Sequence, residues 1–375
     1  WLFTRLMFSQ TFSAADIEQA WVGLTKITAA QVSRTLRQPS WSLTDFNVLL
    51  SPAAQAFLEP MAQISQAITR QRFGHTMQVF VPMYLSNLCY NRCTYCGFSV
   101  DNKYPRKTLS DTEMRQEMDH LRKRGFRHLL LLTGEAPDKV GVPYISKAVS
   151  LARILFDSVG IEIQPLTETD YRTMITAGAD SLTLYQETYH PEAYKTYHIS
   201  GLKSRFQHRL DATDYGGRAG FYRLNIGALL GLYDWRWDAL ALAQHAHYLQ
   251  RAYWQTKVMI SMPRIRHTYG GFSSIYPVTD ADLVQFICAF RMVFPDAGLS
   301  LSTREPAILR DALIPLGITQ MSAESNTSPG GYTIGDEEPQ FEISDHRPLE
   351  EVTAMLQKKG YDVVMKDWNR EFIAL

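Results

Sequence analysis

The feature that most constrains this chain is an alternation that begins near Thr76 and runs almost to its end. Short apolar runs rich in β-branched residues are each followed by a stretch of helical period. Such units lay strands side by side in parallel, because the helical crossover returns the chain to the same end of the sheet before the next strand starts. Eight runs read as strands, at 78–85, 128–133, 161–166, 181–186, 223–231, 257–263, 299–303 and 318–322. Eight is the number at which a parallel sheet closes on itself, so the pattern predicts an α/β fold, a (βα)8 barrel of the TIM type. Helix boundary signals agree with it. Ser110 with Glu113 forms a capping box, Gly125 supplies a left-handed stop, and Thr279 with Asp282 repeats the opening device.

Residues 1–75 lack strand runs and read as an N-terminal helical extension, with helices at 13–24 and 28–37, a short turn opening at Ser42, and an amphipathic stretch from 52 to about 72. The barrel is expected over 76–345, and a C-terminal helix and tail over 346–375. Two stretches have no clear period and are expected to be irregular: 189–222, and 325–348, where Gly330-Gly331 and several prolines occur. Lys and Arg number 38 against 38 Asp and Glu, so no nucleic-acid or other polyelectrolyte partner is indicated. No apolar run approaches the roughly 20 residues of a membrane span. The first residues, WLFTRLMFSQTF, carry Arg5 in their middle and do not read as a signal peptide, so a cytoplasmic enzyme is expected.

Four cysteines occur, and three of them, Cys89, Cys93 and Cys96, form CxxxCxxC directly after the first strand. Chance placement gives this spacing on the order of once in two thousand such chains. A structural zinc site uses paired knuckles and a fourth ligand, and no second knuckle is present. Three thiolates on one loop leave the fourth iron of a [4Fe–4S] cube open to a substrate or cofactor. Cys288, in a helical pattern with Phe286 and Phe290, reads as a buried packing residue.

Tyr95 completes CxxxCxΦC, and here the chain resembles the radical S-adenosylmethionine (SAM) superfamily. The resemblance implies that Cys89, Cys93 and Cys96 hold a [4Fe–4S] cluster, that SAM chelates the open iron, and that Tyr95 lies against its adenine. Thr133-Gly134-Glu135 is similar to the family's GGE motif, with Gly134 and Glu135 receiving the SAM ammonium. Gly227 to Gly231 resembles an adenine-contact strand. Glu187 and Arg209 resemble the Glu/Arg pair that orients SAM in the biotin-synthase-like and hydrogenase-maturation branches. By themselves these residues would be an ordinary turn and an exposed ion pair.

The longer strings FVPMYLSNLCYNRCTYCGFS, LLLLTGEAP, YQETYHPEAY, LLGLYDWRWD, SMPRIR and LSLSTRE resemble the radical SAM aromatic amino-acid lyases, most closely the tyrosine lyases that make 2-iminoacetate for bacterial thiazole biosynthesis. The C-terminal half of the barrel resembles the biotin and thiamin synthesis associated region. The resemblance implies cleavage of the L-tyrosine Cα–Cβ bond to 2-iminoacetate (dehydroglycine) and p-cresol, as SAM becomes methionine and 5′-deoxyadenosine. It assigns Ser302 and Arg304 to the tyrosine carboxylate, a role that suits a planar guanidinium with two parallel donors. It also implies a flavodoxin or ferredoxin reductant and thiazole synthase as protein partner. The related hydrogenase-maturation lyase carries a second cysteine-bound cluster near its C-terminus. No cysteine follows Cys288 here, so that later reaction is expected to be absent.

Two alternatives remain beside this reading: a tryptophan lyase with a similar pocket, and an iron–sulfur electron carrier in which Glu135, Glu187 and Arg209 have no task. Tyr185, Gln186 and Arg266 end strands on the active face and either line the pocket or close the barrel. His190 stands in a motif loop, while His75, His120, His208, His245 and His247 read as surface or packing residues.

Overall fold

Strand β1 (Thr76–Ser86) shows how the sheet sorts its two faces. Met77, Val79, Val81 and Met83 have no exposure and pack into the helical layer, while Phe80, Pro82 and Tyr84 face the barrel interior. The computed structural model describes residues 6–267, 271–335 and 337–365. Seven more strands follow: β2 (His128–Thr133), β3 (Ser158–Glu162), β4 (Ser181–Glu187), β5 (Arg223–Ala228), β6 (Lys257–Ser261), β7 (Gly298–Leu301) and β8 (Gln320–Ser322). Each pairs in parallel with the next, and β8 pairs back onto β1 from Gln78↔Gln320 to Phe80↔Ser322, which closes the expected eight-stranded barrel. A short C-terminal strand, Asp362–Val364, pairs with the start of β1. The four leucines of β2 are good helix formers, yet they lie between β1 and β3 with both faces covered, and that setting overrides propensity.

Helices between the strands begin where their caps predict. Asp111–Lys123 carries both capping-box bonds between Ser110 and Glu113, and Asp280–Val293 carries those between Thr279 and Asp282. Gly125 has φ of 105°, the left-handed stop expected of it. The helices before Thr76 pack on the outside of the barrel, Ala14–Gly23 against Trp235–Ala252, and Leu43–Leu50 and Leu58–Phe73 against Asp280–Val293. Trp237 Nε1 donates to Glu18 at 2.9 Å, and Gln285 Nε2 donates to the carbonyls of Leu49 and Ser51, both at 2.9 Å. The turn expected at Ser42 is a helix, Leu43–Leu50, because Asp45 returns a bond to the Ser42 N–H. Cys288 is fully buried in the core with Phe286 and Phe290. Among the described residues no helix is long and apolar enough to cross a membrane.

Two further expectations need correction. The third strand lies three residues earlier than its sequence pattern suggested, at Ser158–Glu162, because Gly160 belongs to it. A Cβ on Gly160 would lie 2.6 Å from Ser181 Oγ, so this glycine serves close contact between neighbouring strands. The stretch 189–222 is regular, with helices Pro191–Tyr197 and Phe206–Ala219 joined through a short strand, His198–Ser200. Pro191 at the first helical position, with the His190 side chain accepting from the Ala193 N–H, sets the first of these. The segment from Ser325 to Pro348 has neither helix nor strand among its described residues, as its glycines and prolines predict.

That segment is held by charge. Asp345, 1% exposed, pairs with the fully buried Arg310 guanidinium and accepts from Arg347, which also bridges Asp311. Burial pushes the Asp345 carboxyl up, but the Arg347 hydrogen bonds and the Arg310 charge outweigh this and hold it at about 2. Its contribution is therefore complete above the ordinary carboxylate value of 3.8 and is lost as pH falls through about 2. Asp345→Asn leaves Arg310 buried without a counter-charge and is expected to cost about 3–5 kcal/mol in urea unfolding at neutral pH. The difference from the wild type should shrink as the wild type is acidified toward that value.

Candidate active site

β1 hands the chain at Ser86 to a loop that crosses the C-terminal mouth of the barrel, the end where folds of this kind collect their chemistry. Arg106 braces this loop from inside. Its Nη1 donates to the carbonyls of Asn87 at 2.9 Å and Phe98 at 3.1 Å, and its Nη2 to those of Ser99 at 2.6 Å and Asn102 at 3.1 Å. One permanently charged fork thus fixes four carbonyls around the cysteines. Gly134, just past β2, lets the loop pass close: a Cβ there would lie 2.2 Å from the Leu88 carbonyl oxygen.

The structure brings Cys89, Cys93 and Cys96 together on this loop, all unbridged. Burial pushes the Cys89 thiol up to about 11, Cys93 well above its ordinary value and Cys96 upward, with Lys203 opposing the rise at the last two. Such thiols stay protonated at neutral pH until a metal displaces the proton. Among the described residues no three His, Cys, Asp or Glu side chains are arranged to hold one metal ion. Thiolates of an iron–sulfur cluster ligate different irons and need not converge on one point. Gln340 Nε2 donates to Cys96 Sγ at 3.7 Å, a contact that no sequence pattern announced.

Beside the thiols runs a chain of alternating charges. Glu135 accepts from Arg209 Nη1 at 3.0 Å and from Asn91 Nδ2 at 2.7 Å. Arg209 also donates from Nε to the Tyr185 carbonyl at 2.7 Å and reaches Glu187 Oε1 at 3.5 Å, and Lys203 Nζ completes the chain with Glu187 at 2.6 Å. Read alone, Glu187 and Arg209 would form an exposed ion pair. Both side chains are instead under a tenth exposed. Burial pushes Glu187 up, but Lys203 and Arg209 outweigh it and its carboxyl lies below the usual range. Its backbone sits at φ 73°, a left-handed conformation for a non-glycine residue, where the register between β4 and β5 shifts. Strain of this kind costs about 1–3 kcal/mol and persists only where the surroundings enforce it.

Tyr95 belongs with Cys93, Leu229 and Leu232 to a small apolar cluster at the mouth, apart from the main core and rimmed by Ile265 and Phe272. Its hydroxyl meets His198 Nε2 at 2.8 Å, and His198 Nδ1 meets the Tyr194 carbonyl at 2.7 Å. That carbonyl only accepts, so the Nδ1 proton is fixed and Nε2 accepts from Tyr95. Burial pushes His198 down to about 3, and the ring is neutral. The apolar shelf that this cluster forms lies beside the charges, with Lys203 Nζ 5.8 Å from the Tyr95 ring centroid. Thr133 Oγ1, next to Gly134, is buried without a hydrogen-bond partner among the described residues.

Behind this mouth the interior holds a cavity of two lobes that share Glu162, Tyr185, Pro263, Arg304 and Phe341. One lobe reaches Cys96, Glu187, Lys203 and Leu229, and the other reaches Phe80, Tyr84, Ser302 and Ser325. The Arg304 guanidinium stacks on Phe341, 3.3 Å from the ring centroid, and no group among the described residues accepts a hydrogen bond from it. Burial pulls it below its ordinary value. Ser302 Oγ accepts from the Arg304 backbone N–H at 3.3 Å and fixes the turn that carries it. Arg266 also borders the cavity, but its charge is taken up by Glu305 at 2.5 Å. Tyr185 lines both lobes, whereas Gln186, next along the strand, turns away to the Phe206 carbonyl. His190 caps its helix and stacks on Tyr233 at 4.0 Å, and it lines neither lobe. Sequence reasoning missed Asn91, which occupies a variable position inside the cysteine motif, and Glu162, His198, Lys203, Gln340 and Phe341, none of which stands in a spaced motif.

Residues 83–243 match the model of the radical SAM superfamily, and 261–362 that of the biotin and thiamin synthesis associated domain. The 2-iminoacetate synthase of Salmonella typhimurium LT2 is 46% identical over 346 residues, 91% of each chain. That of Escherichia coli K12 is 44% identical over 364 residues, 96% of this chain and 97% of its own. Among solved structures HydG, a maturase of the [FeFe]-hydrogenase, superposes with a TM-score of 0.88 at 30% identity, covering 94% of this chain and 80% of its own. With identity at this level over more than nine-tenths of its length, the chain belongs to the 2-iminoacetate synthase family of radical SAM enzymes.

Proposed function

We propose that this chain cleaves the Cα–Cβ bond of L-tyrosine to 2-iminoacetate and p-cresol, for thiazole formation in thiamine biosynthesis. The observation that carries the reading is Arg304: a half-buried guanidinium without an acceptor among the described residues, in the same cavity as the Cys96 thiol. A charge left unpaired in a protein interior is costly unless a ligand completes it, and the carboxylate of an amino acid does so with two parallel bonds. Phe341 beneath the guanidinium fixes its plane, and hence the direction from which the carboxylate arrives.

The radical SAM family works with a [4Fe–4S] cluster and SAM, and the donor set fits both. Cys89, Cys93 and Cys96 hold the cluster, with the Gln340 amide directed at one sulfur. Gly134, Glu135, Glu187 and Arg209 receive the polar end of SAM, next to the orphan hydroxyl of Thr133, and Tyr95 with Leu229 offers the apolar shelf for its base. Bound there, the two supply one-electron cleavage of SAM to methionine and a strongly hydrogen-abstracting fragment that ends as 5′-deoxyadenosine. The protein holds the amino acid at Ser302 and Arg304, keeps water out of the closed interior, and limits how far the reacting groups can drift.

The reductant is a flavodoxin or ferredoxin, and the product passes to thiazole synthase, because an imine this small hydrolyses if released. An even balance of charge suits docking by shape over long-range steering. Neither nucleic acid nor a membrane enters the reading, and the reducing cytoplasm suits the free thiols.

Anaerobically reconstituted protein with SAM, dithionite and tyrosine is expected to form p-cresol, glyoxylate from the hydrolysed imine, and 5′-deoxyadenosine. Tryptophan under the same conditions should yield no 3-methylindole, and its cleavage in place of tyrosine would reassign the substrate. Alanine at Cys89, Cys93 or Cys96 should abolish the visible absorbance of the cluster and all SAM cleavage, while Cys288→Ala keeps both. Arg304→Ala should weaken tyrosine binding by about 2–5 kcal/mol with cluster content intact, and Arg304→Lys by less, since it keeps the charge and loses the fork. Wild-type p-cresol formation by Arg304→Ala at limiting tyrosine would move the carboxylate anchor elsewhere.

A further inference from the structure

Glu162 is the last residue of β3 and lines both lobes of the interior cavity, together with Arg304, Tyr185 and Phe341. Its neighbour Ile161 points the other way into the core, with no exposure. No hydrogen bond or ion pair reaches the Glu162 carboxylate from the described residues, and none satisfies the Arg304 guanidinium. The two feel each other's charge and yet do not pair, so the space between them is open. The neighbouring charges at this mouth are matched: Glu135 with Arg209, Glu187 with Lys203, Arg266 with Glu305. An anion and a cation left unmatched across one cavity are the complement of a zwitterion.

We propose that Glu162 receives the α-ammonium group of the amino acid held at Arg304 and accepts one of its protons. This rests on the reading that the substrate is an α-amino acid bound by its carboxylate. In the step one N–H bond breaks with its electron pair left on nitrogen, and an O–H bond forms on Glu162. Ammonium and carboxylate become amine and carboxylic acid, with no change in total charge. The amine is then the neutral form, from whose nitrogen a hydrogen atom is more readily lost.

The surroundings of Glu162 suit a proton acceptor. Burial and the charge of Glu187 push it up, while Lys203, Arg304 and Arg209 pull it down, and it comes to rest at about 7. Tyr84 and Tyr185, the other titratable groups that feel its charge, are raised by burial and stay neutral. A carboxyl poised there both gives and takes a proton near neutral pH.

The test uses the reconstituted full chain with SAM and without reductant, so that no turnover occurs. L-Tyrosine and its des-amino analogue, 3-(4-hydroxyphenyl)propionate, are titrated calorimetrically. The wild type is expected to prefer tyrosine. Glu162→Gln should weaken tyrosine by about tenfold or more while leaving the analogue within about threefold, and Glu162→Asp should keep part of the preference. As a check that needs no variant, wild-type affinity for tyrosine should fall between about pH 8 and about pH 6 while that for the analogue holds, because below its folded value Glu162 must shed a proton to receive the ammonium. Equal loss of both ligands in Glu162→Gln, no loss of either, or parallel pH profiles in the wild type would each overturn the role of Glu162. Failure of the wild type to bind tyrosine at all would overturn the substrate reading, and this inference with it.

Discussion

Arg209 lies between two carboxylates that arrive on different strands, and much of the active face is arranged around that contact. Glu135 follows β2 and Glu187 ends β4, while Arg209 itself projects from the helix Phe206–Ala219 and also ties down the Tyr185 carbonyl. Asn91 on the cysteine loop shares the Glu135 carboxylate and accepts from the Lys203 N–H, so the loop is bound into the same group. Removing one partner from such a buried set leaves a charge without compensation and costs about 3–5 kcal/mol. That margin exceeds the strain of the left-handed Glu187 backbone, which is why the strain is kept and the carboxylate stays aimed at the mouth.

Two kinds of charge arrangement thus meet in the wall of one cavity. Toward the cysteines the charges are paired, and a rigid polar wall results. Toward the barrel axis Arg304 and Glu162 are unpaired, and the cavity between them is ready for a ligand that brings its own opposite charges. A parallel barrel makes the division easy to build, because every strand ends on the same side and alternate residues point inward. The paired residues stand on or beyond strand ends, where loops and helices bring partners. The unpaired ones project into a lumen crowded by aromatic side chains, Tyr84, Tyr185 and Phe341, that offer them no matching charge.

What was readable in the sequence was what is local in it. The cysteine triplet is a spacing, the capping boxes are three-residue devices, and seven of the eight strands fall close to their apolar runs. Glu162 was hidden by the eighth: a strand placed at 161–166 puts it near the beginning, on the far side of the barrel, whereas the observed Ser158–Glu162 puts it at the active end. His198, Lys203 and Gln340 have no local signature at all. His198 matters because its strand pairs with the two-residue strand Arg92–Cys93 and sets it opposite Cys93, Lys203 because Gly201 leaves room for the Asn91 side chain, and Gln340 because an irregular segment returns over the loop more than two hundred residues later. Loops that meet over the mouth of the barrel create these neighbours, and such meetings are not a property of any window of sequence.

The returning segment also couples stability to chemistry. Gly97 has no side chain because the Gln340 carbonyl lies where its Cβ would go, 2.5 Å away, and the Gly97 N–H donates to that same carbonyl at 3.0 Å. Gln340 meets the Cys96 sulfur and the Tyr84 hydroxyl, and Phe341 supports Arg304. A few residues on, Asp345 is fixed by Arg310 and Arg347, while Ser344 and Asp345 donate through their N–H groups to the Thr303 carbonyl, next to Arg304. A chain without helix or strand has no regular ladder of its own, so its place is set by these side-chain anchors together with single backbone bonds to neighbouring loops. Loosening them removes the stacking partner of Arg304 and the donor to Cys96 together. The stacking partner of Arg304 and the donor to Cys96 thus lie on one segment that a buried arginine–aspartate pair, touching neither, helps to hold in place.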